Sequence, residues 1–239
     1  AGTDAGFTLT AEAPLDFIFM LTRGDKTVED CLLVLDQILP LGLKHIGFKD
    51  VGVDFSVLVK LTERIRRSGA TSYMEVVSET PEACLRSAEA AKKLEIDRLL
   101  GGTDVAAVKE IIAGTHTTYY PFPGIPVGHP TKLGGQPADV TAHCEKFVAQ
   151  GCGGCDLLAY RATEADPLDL VRAARKGLGK DGYLIVAGSI TSRQRIADVA
   201  AAGGDAFTIG TAVFDGSYSP RKGSIVSQLG DVIADCATV

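Results

Sequence analysis

The sequence has few of the features that mark membrane and nucleic-acid-binding proteins. No apolar run approaches the ~20 residues that a helix needs to cross a bilayer. The first fifteen residues lack a basic segment followed by an apolar core, so no secretory leader is expected. The 24 lysines and arginines are scattered among 30 acidic residues, which gives a net charge of −6 and no basic patch. We therefore expect a cytoplasmic protein that binds neither nucleic acid nor membranes.

Motifs for cofactors and metals are also missing. A dinucleotide-binding sheet needs a glycine-rich loop after its first strand, and the sequence LTRGD at 21–25 is not one. No HxH, HExxH or DxD pair ends a predicted strand, although Glu75 and Asp50 with substrate oxygens could hold a Mg²⁺ ion. We expect no cofactor and no metal.

Cysteine occurs at six positions, without a pattern that demands disulfides. Cys152 and Cys155 form a CGGC sequence, which would suit a redox pair or half of a zinc site. A structural zinc site usually needs a second such pair, and a redox pair should open a helix rather than lead into a strand. Buried structural thiols are therefore the favoured interpretation.

Apolar strands and amphipathic helices alternate along the whole chain. This pattern is typical of a parallel sheet covered by helices. Eight strands are predicted, at Asp16–Thr22, His45–Lys49, Ser72–Val77, Arg98–Leu100, Thr117–Tyr120, Leu157–Tyr160, Leu184–Ala187 and Ala206–Ile209. With 239 residues, 46% of them hydrophobic, the chain is predicted to be α/β, a single (β/α)₈ TIM barrel over residues 1–239. A doubly wound open sheet is the alternative.

The segment 183–214 carries the clearest functional signal. It is predicted to form a strand ending at Gly188-Ser189, a helix, and a second strand ending at Gly210-Thr211. Two strands joined by one helix must pair in parallel, because a right-handed crossover can join them and a tight hairpin cannot. Both turns then present backbone N–H groups at the same edge, an arrangement that binds phosphate.

The longest connection, residues 121–139, follows the fifth predicted strand and contains five prolines and four glycines. A loop of this length in a compact domain is usually a lid or a binding loop, and a disordered insertion is the alternative. His129 and Lys132 lie in this loop and could reach an anionic ligand.

Reacting groups in such a barrel come from the carboxyl ends of the strands. Alternation along the second and third strands turns Lys49 and Glu75 into the barrel on adjacent strands, within reach of each other. A buried cation and carboxylate should pair and shift each other's pKa, as proton transfer requires. A structural salt bridge is the alternative. Asp50, the last residue of its strand, is a third catalytic candidate, although alternation turns it away.

Four further side chains are predicted to bind substrate. Arg161 follows the sixth predicted strand and suits a carboxylate or a second phosphate oxygen, with a surface ion pair as the alternative. His129 is the one histidine on the predicted active face. Tyr120 ends the fifth strand, and Arg23 lies in the loop after the first.

The turns Ala187-Gly188-Ser189-Ile190 and Ile209-Gly210-Thr211-Ala212-Val213 resemble those of the ribulose-phosphate-binding barrels. This superfamily includes N-acetylmannosamine-6-phosphate 2-epimerase, the histidine and tryptophan biosynthetic isomerases, and the hexulose-phosphate synthase and decarboxylase group. The GTAV and AAGGDAF portions look most like the epimerase. The resemblance covers residues 183–214 and implies a small phosphorylated substrate whose phosphate binds Gly188, Ser189, Gly210 and Thr211.

Elsewhere the chain departs from these families. Residues 48–50, Phe-Lys-Asp, partly resemble the DxKxxD strand of the decarboxylase group, but Gly47 stands where the first aspartate belongs. The paired aspartates of the histidine-pathway isomerases are also missing from the first and fifth strands.

Three functions remain open at this point. The first is a cofactor-independent isomerase or epimerase that acts on a small sugar phosphate by proton transfer next to a carbonyl. The others are a Schiff-base aldolase or lyase that uses Lys49, and a phosphometabolite-binding barrel without catalysis. Barrels of this kind often pair through helices or rim loops, so a homodimer is the assembly to test.

Overall fold

Eight parallel strands form the central sheet of the computed structural model, which describes residues 15–77 and 80–239. In chain order they are β1 Asp16–Met20, β2 His45–Lys49, β3 Thr71–Glu75, β4 Arg98–Leu100, β5 Thr118–Tyr120, β6 Gly154–Leu157, β7 Tyr183–Val186 and β8 Ala206–Ile209. Their order across the sheet is β6-β7-β8-β1-β2-β3-β4-β5. Each strand therefore lies beside its neighbours in sequence, as repeated right-handed crossovers require.

The two outer strands of this sheet, β5 and β6, come together and nearly close it into a barrel. The Gly153 N–H donates to the Tyr119 carbonyl over 2.9 Å, and the Asp156 N–H donates to the Pro121 carbonyl over 2.9 Å. The prediction of a (β/α)₈ barrel is confirmed, and the open doubly wound sheet is wrong.

Helices cover the outside of the barrel. They are α1 Cys31–Ile38, α2 Phe55–Arg67, α3 Pro81–Leu94, α4 Val105–Ile112, α5 Pro137–Ala149, α6 Pro167–Leu178, α7 Arg193–Ala202, α8 Thr211–Phe214 and α9 Ile225–Ala237. None of the helices in the described ranges combines the length and the apolar character needed to cross a membrane. Cytoplasmic location and pairing into a homodimer stay predictions.

The sixth strand lies three residues earlier than predicted, at Gly154–Leu157 instead of Leu157–Tyr160. Residues Ala159–Arg161 form a 3₁₀ helix instead. A Cβ on Gly154, the first residue of this strand, would overlap the Tyr183 backbone of β7, so only glycine permits this pairing. Cys155 and Leu157 face the helices, and Asp156 between them therefore faces the barrel interior.

All six cysteines are free thiols, which agrees with their interpretation as structural residues. Five are buried, and Cys152 is half-buried. Burial raises the pKa of the Cys152 thiol to about 11, so the thiolate that redox chemistry or zinc binding needs is disfavoured.

The amino end of the barrel is filled by aromatic rings around Arg98. Its guanidinium lies 4.4 Å from the ring centroid of Tyr183 and 5.4 Å from that of Tyr73. Arg98 Nη1 also donates to the Tyr73 hydroxyl over 2.7 Å. This end of a TIM barrel normally serves stability rather than catalysis.

We expect Arg98→Met to lower the free energy of unfolding by about 2–3 kcal/mol, because it removes the hydrogen bond and the cation–π contacts together. Urea unfolding followed by circular dichroism measures this loss. Arg64→Met is the control, since its ion pair with Asp36 is exposed and should contribute less than about 1 kcal/mol. Equal losses in the two variants would contradict a structural role for Arg98.

Candidate active site

A cavity of about 950 Å³ opens at the carboxyl ends of the strands. A short hairpin after β1 forms part of its wall, with Thr22–Arg23 paired to Lys26–Thr27. Gly24 and Asp25 make its turn with φ of 57° and 62°, as a two-residue type I′ hairpin requires. The Thr27 hydroxyl donates to the Lys49 carbonyl over 2.6 Å, which attaches the hairpin to β2. Asp25 is thereby held beside the end of β2.

Lys49 lies at the centre of a charged cluster at the base of the cavity. Its Nζ is 2.8 Å from Asp25 Oδ1 and 3.3 Å from Glu75 Oε1, and its side chain is only 11% exposed. β2 and β3 pair in a register that places Lys49 opposite Glu75, so these two side chains lie close together as predicted. A contact of this kind permits proton transfer and also a structural salt bridge.

The surroundings of Lys49 favour its charged form. Burial would lower its pKa, but the attraction of Glu75 and Asp25 outweighs this and raises the pKa above the ordinary lysine value. For Asp25, burial raises the pKa, and the stronger combined attraction of Lys49, Arg161 and His129 lowers it overall. At neutral pH Lys49 is therefore an ammonium and Asp25 a carboxylate.

A second carboxyl group approaches Glu75 from below the cavity. Asp156 is fully buried, and neither of its oxygens has a hydrogen-bond donor. Glu75 Oε2 is also buried without a donor. Burial and the neighbouring Glu75 raise the pKa of Asp156 well above the ordinary range, which Lys49 only partly offsets. Asp156 is the member of the cluster that lies deepest in the barrel.

The two glycine turns lie side by side in the cavity lining, next to the first hairpin, where the Gly24 N–H donates to the Thr211 hydroxyl over 3.3 Å. β7 pairs in parallel with β8, and Gly188, Ser189, Gly210 and Thr211 all line the cavity. Gly188 has a φ of 83°, which glycine adopts without strain, and Ser189 has a φ of 59°, a left-handed value that is uncommon for a residue with a side chain. Gly210 precedes the four-residue helix α8, whose first N–H groups have no partner within the helix. Both turns therefore line the same cavity.

Arg161 lies against the first of these turns. A Cβ on Gly188 would stand 2.7 Å from Arg161 Nε, so the two residues are in close contact. Arg161 Nη1 donates to the Thr131 carbonyl over 3.4 Å, whereas its Nε is buried without an acceptor. A buried guanidinium N–H without an acceptor is costly, and an anion beside Gly188 would satisfy it.

The long loop after β5 contains a hairpin that forms the outer rim of the cavity. Its strands, Ile125–Val127 and Lys132–Gly134, are antiparallel, and the loop is attached to the barrel where the Thr163 N–H donates to the Leu133 carbonyl over 3.0 Å. His129 lies at the tip and lines the cavity, whereas the exposed Lys132 does not. The alternative of a disordered insertion does not fit this ordered hairpin.

Three of the predicted site residues lie outside the cavity lining. Asp50 accepts a hydrogen bond from the Ser87 hydroxyl on α3, on the helix side of the barrel, where alternation places it. Tyr120 is buried in the barrel interior and packs edge-on against Tyr183. Arg23 is exposed on the first hairpin. The other predicted residues, Lys49, Glu75, Arg161, His129, Gly188, Ser189, Gly210 and Thr211, all line the cavity.

Two members of the charged cluster were missing from the predicted site. Asp25 is near Lys49 only because the hairpin turn folds it back over β2. The sequence feature that could have predicted this turn is the Gly-Asp pair between the two short polar strands. Asp156 was hidden by the misplaced sixth strand. Its signal was a lone aspartate between Cys155 and Leu157, at a position where alternation faces the barrel interior.

Comparisons with known proteins find the same fold at low sequence identity. Orotidine 5′-phosphate decarboxylase from Pyrococcus horikoshii OT3 superposes with a TM-score of 0.61 at 13% identity, over 93% of this chain and 100% of the decarboxylase chain. The BexX/CysO complex structure from Amycolatopsis orientalis gives a TM-score of 0.59 at 19% identity, over 94% of this chain and 90% of the matched one.

A cube-shaped, porous protein cage designed by fusing symmetric oligomeric domains also superposes, with a TM-score of 0.64 at 11% identity. It matches over 92% of this chain and 73% of its own. No protein-family model and no curated protein sequence matches this chain. At these identities the likeness concerns the fold alone, and that fold is the (β/α)₈ barrel.

Proposed function

We propose that this protein is a cofactor-independent isomerase or epimerase that acts on a small sugar phosphate by proton transfer next to a carbonyl. The observation that carries the proposal is the Lys49–Glu75 pair, at 3.3 Å, in a cavity that two glycine turns also line. The pair supplies a carboxylate base next to a cation. The turns supply an anion site at a distance from that base.

The phosphate is proposed to bind Gly188, Ser189, Gly210 and Thr211, with Arg161 beside it. The loops after the last two barrel strands, together with a short extra helix, form the usual phosphate site of this architecture. Helix α8 is such a short extra helix and begins at Thr211. The superposed orotidine 5′-phosphate decarboxylase acts, by its name, on a phosphate ester, and this supports a phosphorylated ligand here.

In the proposed reaction, Glu75 removes a proton from the carbon next to the substrate carbonyl. The electron pair of the broken C–H bond forms a carbon–carbon double bond, and a pair from the C=O bond moves onto the oxygen, so the substrate becomes an enediolate. The Lys49 ammonium stabilises this negative charge. Isomerisation is complete when Glu75 delivers its proton to the former carbonyl carbon and the hydroxyl proton passes from one enediolate oxygen to the other, whereas epimerisation requires a proton on the opposite face of the first carbon. The carboxylate of Asp25 holds Lys49 in position from the other side.

The Schiff-base alternative needs an uncharged Lys49. The attraction of Glu75 and Asp25 raises the pKa of Lys49, so the free amine that would attack a carbonyl is disfavoured. A binding protein without catalysis is the other alternative. A buried ammonium between two carboxylates has no necessary part in binding phosphate, and this observation favours an enzyme.

The test is solvent exchange with a panel of aldose and ketose phosphates in deuterium oxide. A thermal-shift screen selects the panel, because a ligand at 100 times its Kd should add about 2.7 kcal/mol of stability. We expect deuterium on the carbon next to the carbonyl of the stabilising ligand, detected by proton NMR. Strong stabilisation by a ligand without deuterium exchange or turnover would show that the protein binds this ligand without catalysis.

Arg161→Met should weaken the binding of inorganic phosphate by about 10- to 100-fold, the value of one charge-assisted hydrogen bond. Titration calorimetry with inorganic phosphate measures the affinity without any need for a substrate. Arg172→Met is the matched control, since Arg172 is exposed on α6 and pairs only with Asp169 among the described contacts. An unchanged affinity in Arg161→Met would remove Arg161 from the proposed phosphate site.

A further inference from the structure

Asp156 is a fully buried carboxyl group that the proposed reaction does not yet use. Its backbone N–H closes the barrel through the Pro121 carbonyl, so its position is held by the sheet. Both of its side-chain oxygens lack a donor, and so does Glu75 Oε2. In the described residues these are three of the few buried polar atoms left without a partner, and they belong to two groups in contact.

The groups that face Asp156 explain why a proton is required. Glu75 on β3 and Lys49 on β2 both interact with it. Tyr119 on β5 and Cys155 on its own strand have raised pKa values but pack on the helix side, and its partner on β7 is the apolar Ile185. Lys49 is already shared by Asp25 and Glu75. A third ionised carboxylate would have no hydrogen-bond donor and would have to share Lys49 with the other two.

We propose that Asp156 carries a proton and donates it in a hydrogen bond to Glu75, which makes Asp156 the positioning residue of the proton-transferring carboxylate. Two ionised carboxylates in contact repel each other and have no donor between them. One proton between them supplies the donor for Glu75 Oε2 and leaves Oε1 to Lys49. Such a pair titrates as a unit, as in other carboxyl dyads.

This arrangement gives Asp156 a defined part in turnover, which rests on the proposed function. Its hydrogen bond holds the Glu75 carboxylate in one orientation before substrate binds. When Glu75 takes the substrate proton, both carboxyl groups are neutral, and the negative charge resides on the enediolate beside Lys49. When Glu75 returns the proton to carbon, the starting state is restored with no net gain of protons.

The location of the proton can be tested without a substrate. Infrared spectroscopy at neutral pH should show the carbonyl stretch of one protonated carboxylic acid in the wild-type protein. The band should shift when the protein is made with ¹³C-labelled aspartate and should be absent from Asp156→Asn. The isotope experiment needs no substitution, so the proposal stays testable even if the variant folds poorly. Absence of the band from the wild type would overturn it, as would a band that shifts only with labelled glutamate.

The pH dependence of stability is an independent readout. Because the folded-state pKa of Asp156 is raised, the folded protein binds more protons than the unfolded chain above the ordinary aspartate pKa. The contribution of Asp156 to stability therefore falls as pH rises towards its folded-state pKa. Asp156→Asn cannot ionise, so its Tm relative to wild type should increase between pH 5 and pH 9, by about 2–4 °C for each kcal/mol. A pH-independent difference would argue for a purely structural residue.

The turnover readout separates this proposal from the proposed function. If the function is correct, the ionisation of Asp156 should disappear from the pH profile of kcat/KM in Asp156→Asn, while affinity for inorganic phosphate is unchanged. If no substrate is ever found, the infrared and stability results still decide where the proton lies. An active enzyme whose pH profile is the same in both proteins would overturn the positioning role alone.

Discussion

Lys49→Met is expected to lower kcat/KM by about 10²–10³-fold, because it removes the cation that the proposed reaction places beside the developing enediolate. Methionine fills a similar volume without a charge. Steady-state kinetics with the substrate found by the solvent-exchange screen measures the loss. Lys60→Met is the matched control, since Lys60 is exposed on α2 and far from the cavity lining. A loss below tenfold would show that Lys49 closes the barrel mouth as a structural salt bridge.

The same variant should also be less stable. Removal of one member of a buried ion pair typically costs about 3–5 kcal/mol, because its partner keeps an unbalanced charge. Here Asp25 is 23% exposed and can turn towards water, so we expect a value at or below the lower end of that range. Urea unfolding gives the value. A fall in kcat/KM that exceeds the fraction of unfolded protein then reports on catalysis and not on folding.

Borohydride distinguishes an electrostatic role of Lys49 from a nucleophilic one. The ammonium form is favoured by Glu75 and Asp25, so no covalent adduct is expected when borohydride is added with the carbonyl substrate. Mass spectrometry of the digested protein detects such an adduct. A stable adduct on Lys49 would support the Schiff-base lyase and would require the carboxylates to release the lysine when substrate binds.

The sequence was sufficient to predict the Lys49–Glu75 pair, because this pair depends on only two regular features. Alternation along a strand decides which side chains enter the barrel, and strands that follow each other in sequence are neighbours in the sheet. The observed register places Lys49 directly opposite Glu75. The two glycine turns were predictable for the same reason, since a single crossover joins β7 to β8.

The rest of the cluster depends on features that periodicity does not encode. Asp25 reaches Lys49 through two consecutive residues with positive φ, a property of one turn rather than of a pattern. Asp156 depends on where β6 begins, and the apolar residues at 157–159 extend the hydrophobic pattern beyond the end of the strand. The predicted strand began at Leu157, so Asp156 fell before it and was not considered as an inward-facing residue.

Asp25 and Asp156 change the chemistry that the Lys49–Glu75 pair can perform. A lone lysine and glutamate would neutralise each other. With Asp25 on one side, Lys49 stays charged when Glu75 accepts a proton. With Asp156 beneath, Glu75 has a partner for its second oxygen in either protonation state. The cluster is therefore suited to repeated proton transfer without the release of a cation or the exposure of a bare carboxylate.

Glu75→Gln is expected to abolish deuterium exchange into the substrate and to lower kcat by about 10²–10⁴-fold, the usual contribution of a positioned general base. Glutamine has nearly the same shape, so the barrel should remain folded, and Lys49 keeps its ion pair with Asp25 at 2.8 Å. Affinity for inorganic phosphate should be unchanged, because the proposed phosphate site consists of the glycine turns and Arg161 and does not include Glu75.

The matched control is Glu63→Gln, which alters an exposed glutamate on α2 and should leave exchange at the wild-type rate. Glu75→Asp keeps the carboxylate but withdraws it by one methylene, so we expect part of the activity to return only if Glu75 itself moves the proton. If Glu75→Gln still exchanges deuterium at the wild-type rate, the base must be Asp25, the other carboxylate that lines the cavity beside Lys49. Asp25→Asn would then lose exchange while Glu75→Gln retains it, and the lowered pKa of Asp25 would have to be overcome by bound substrate.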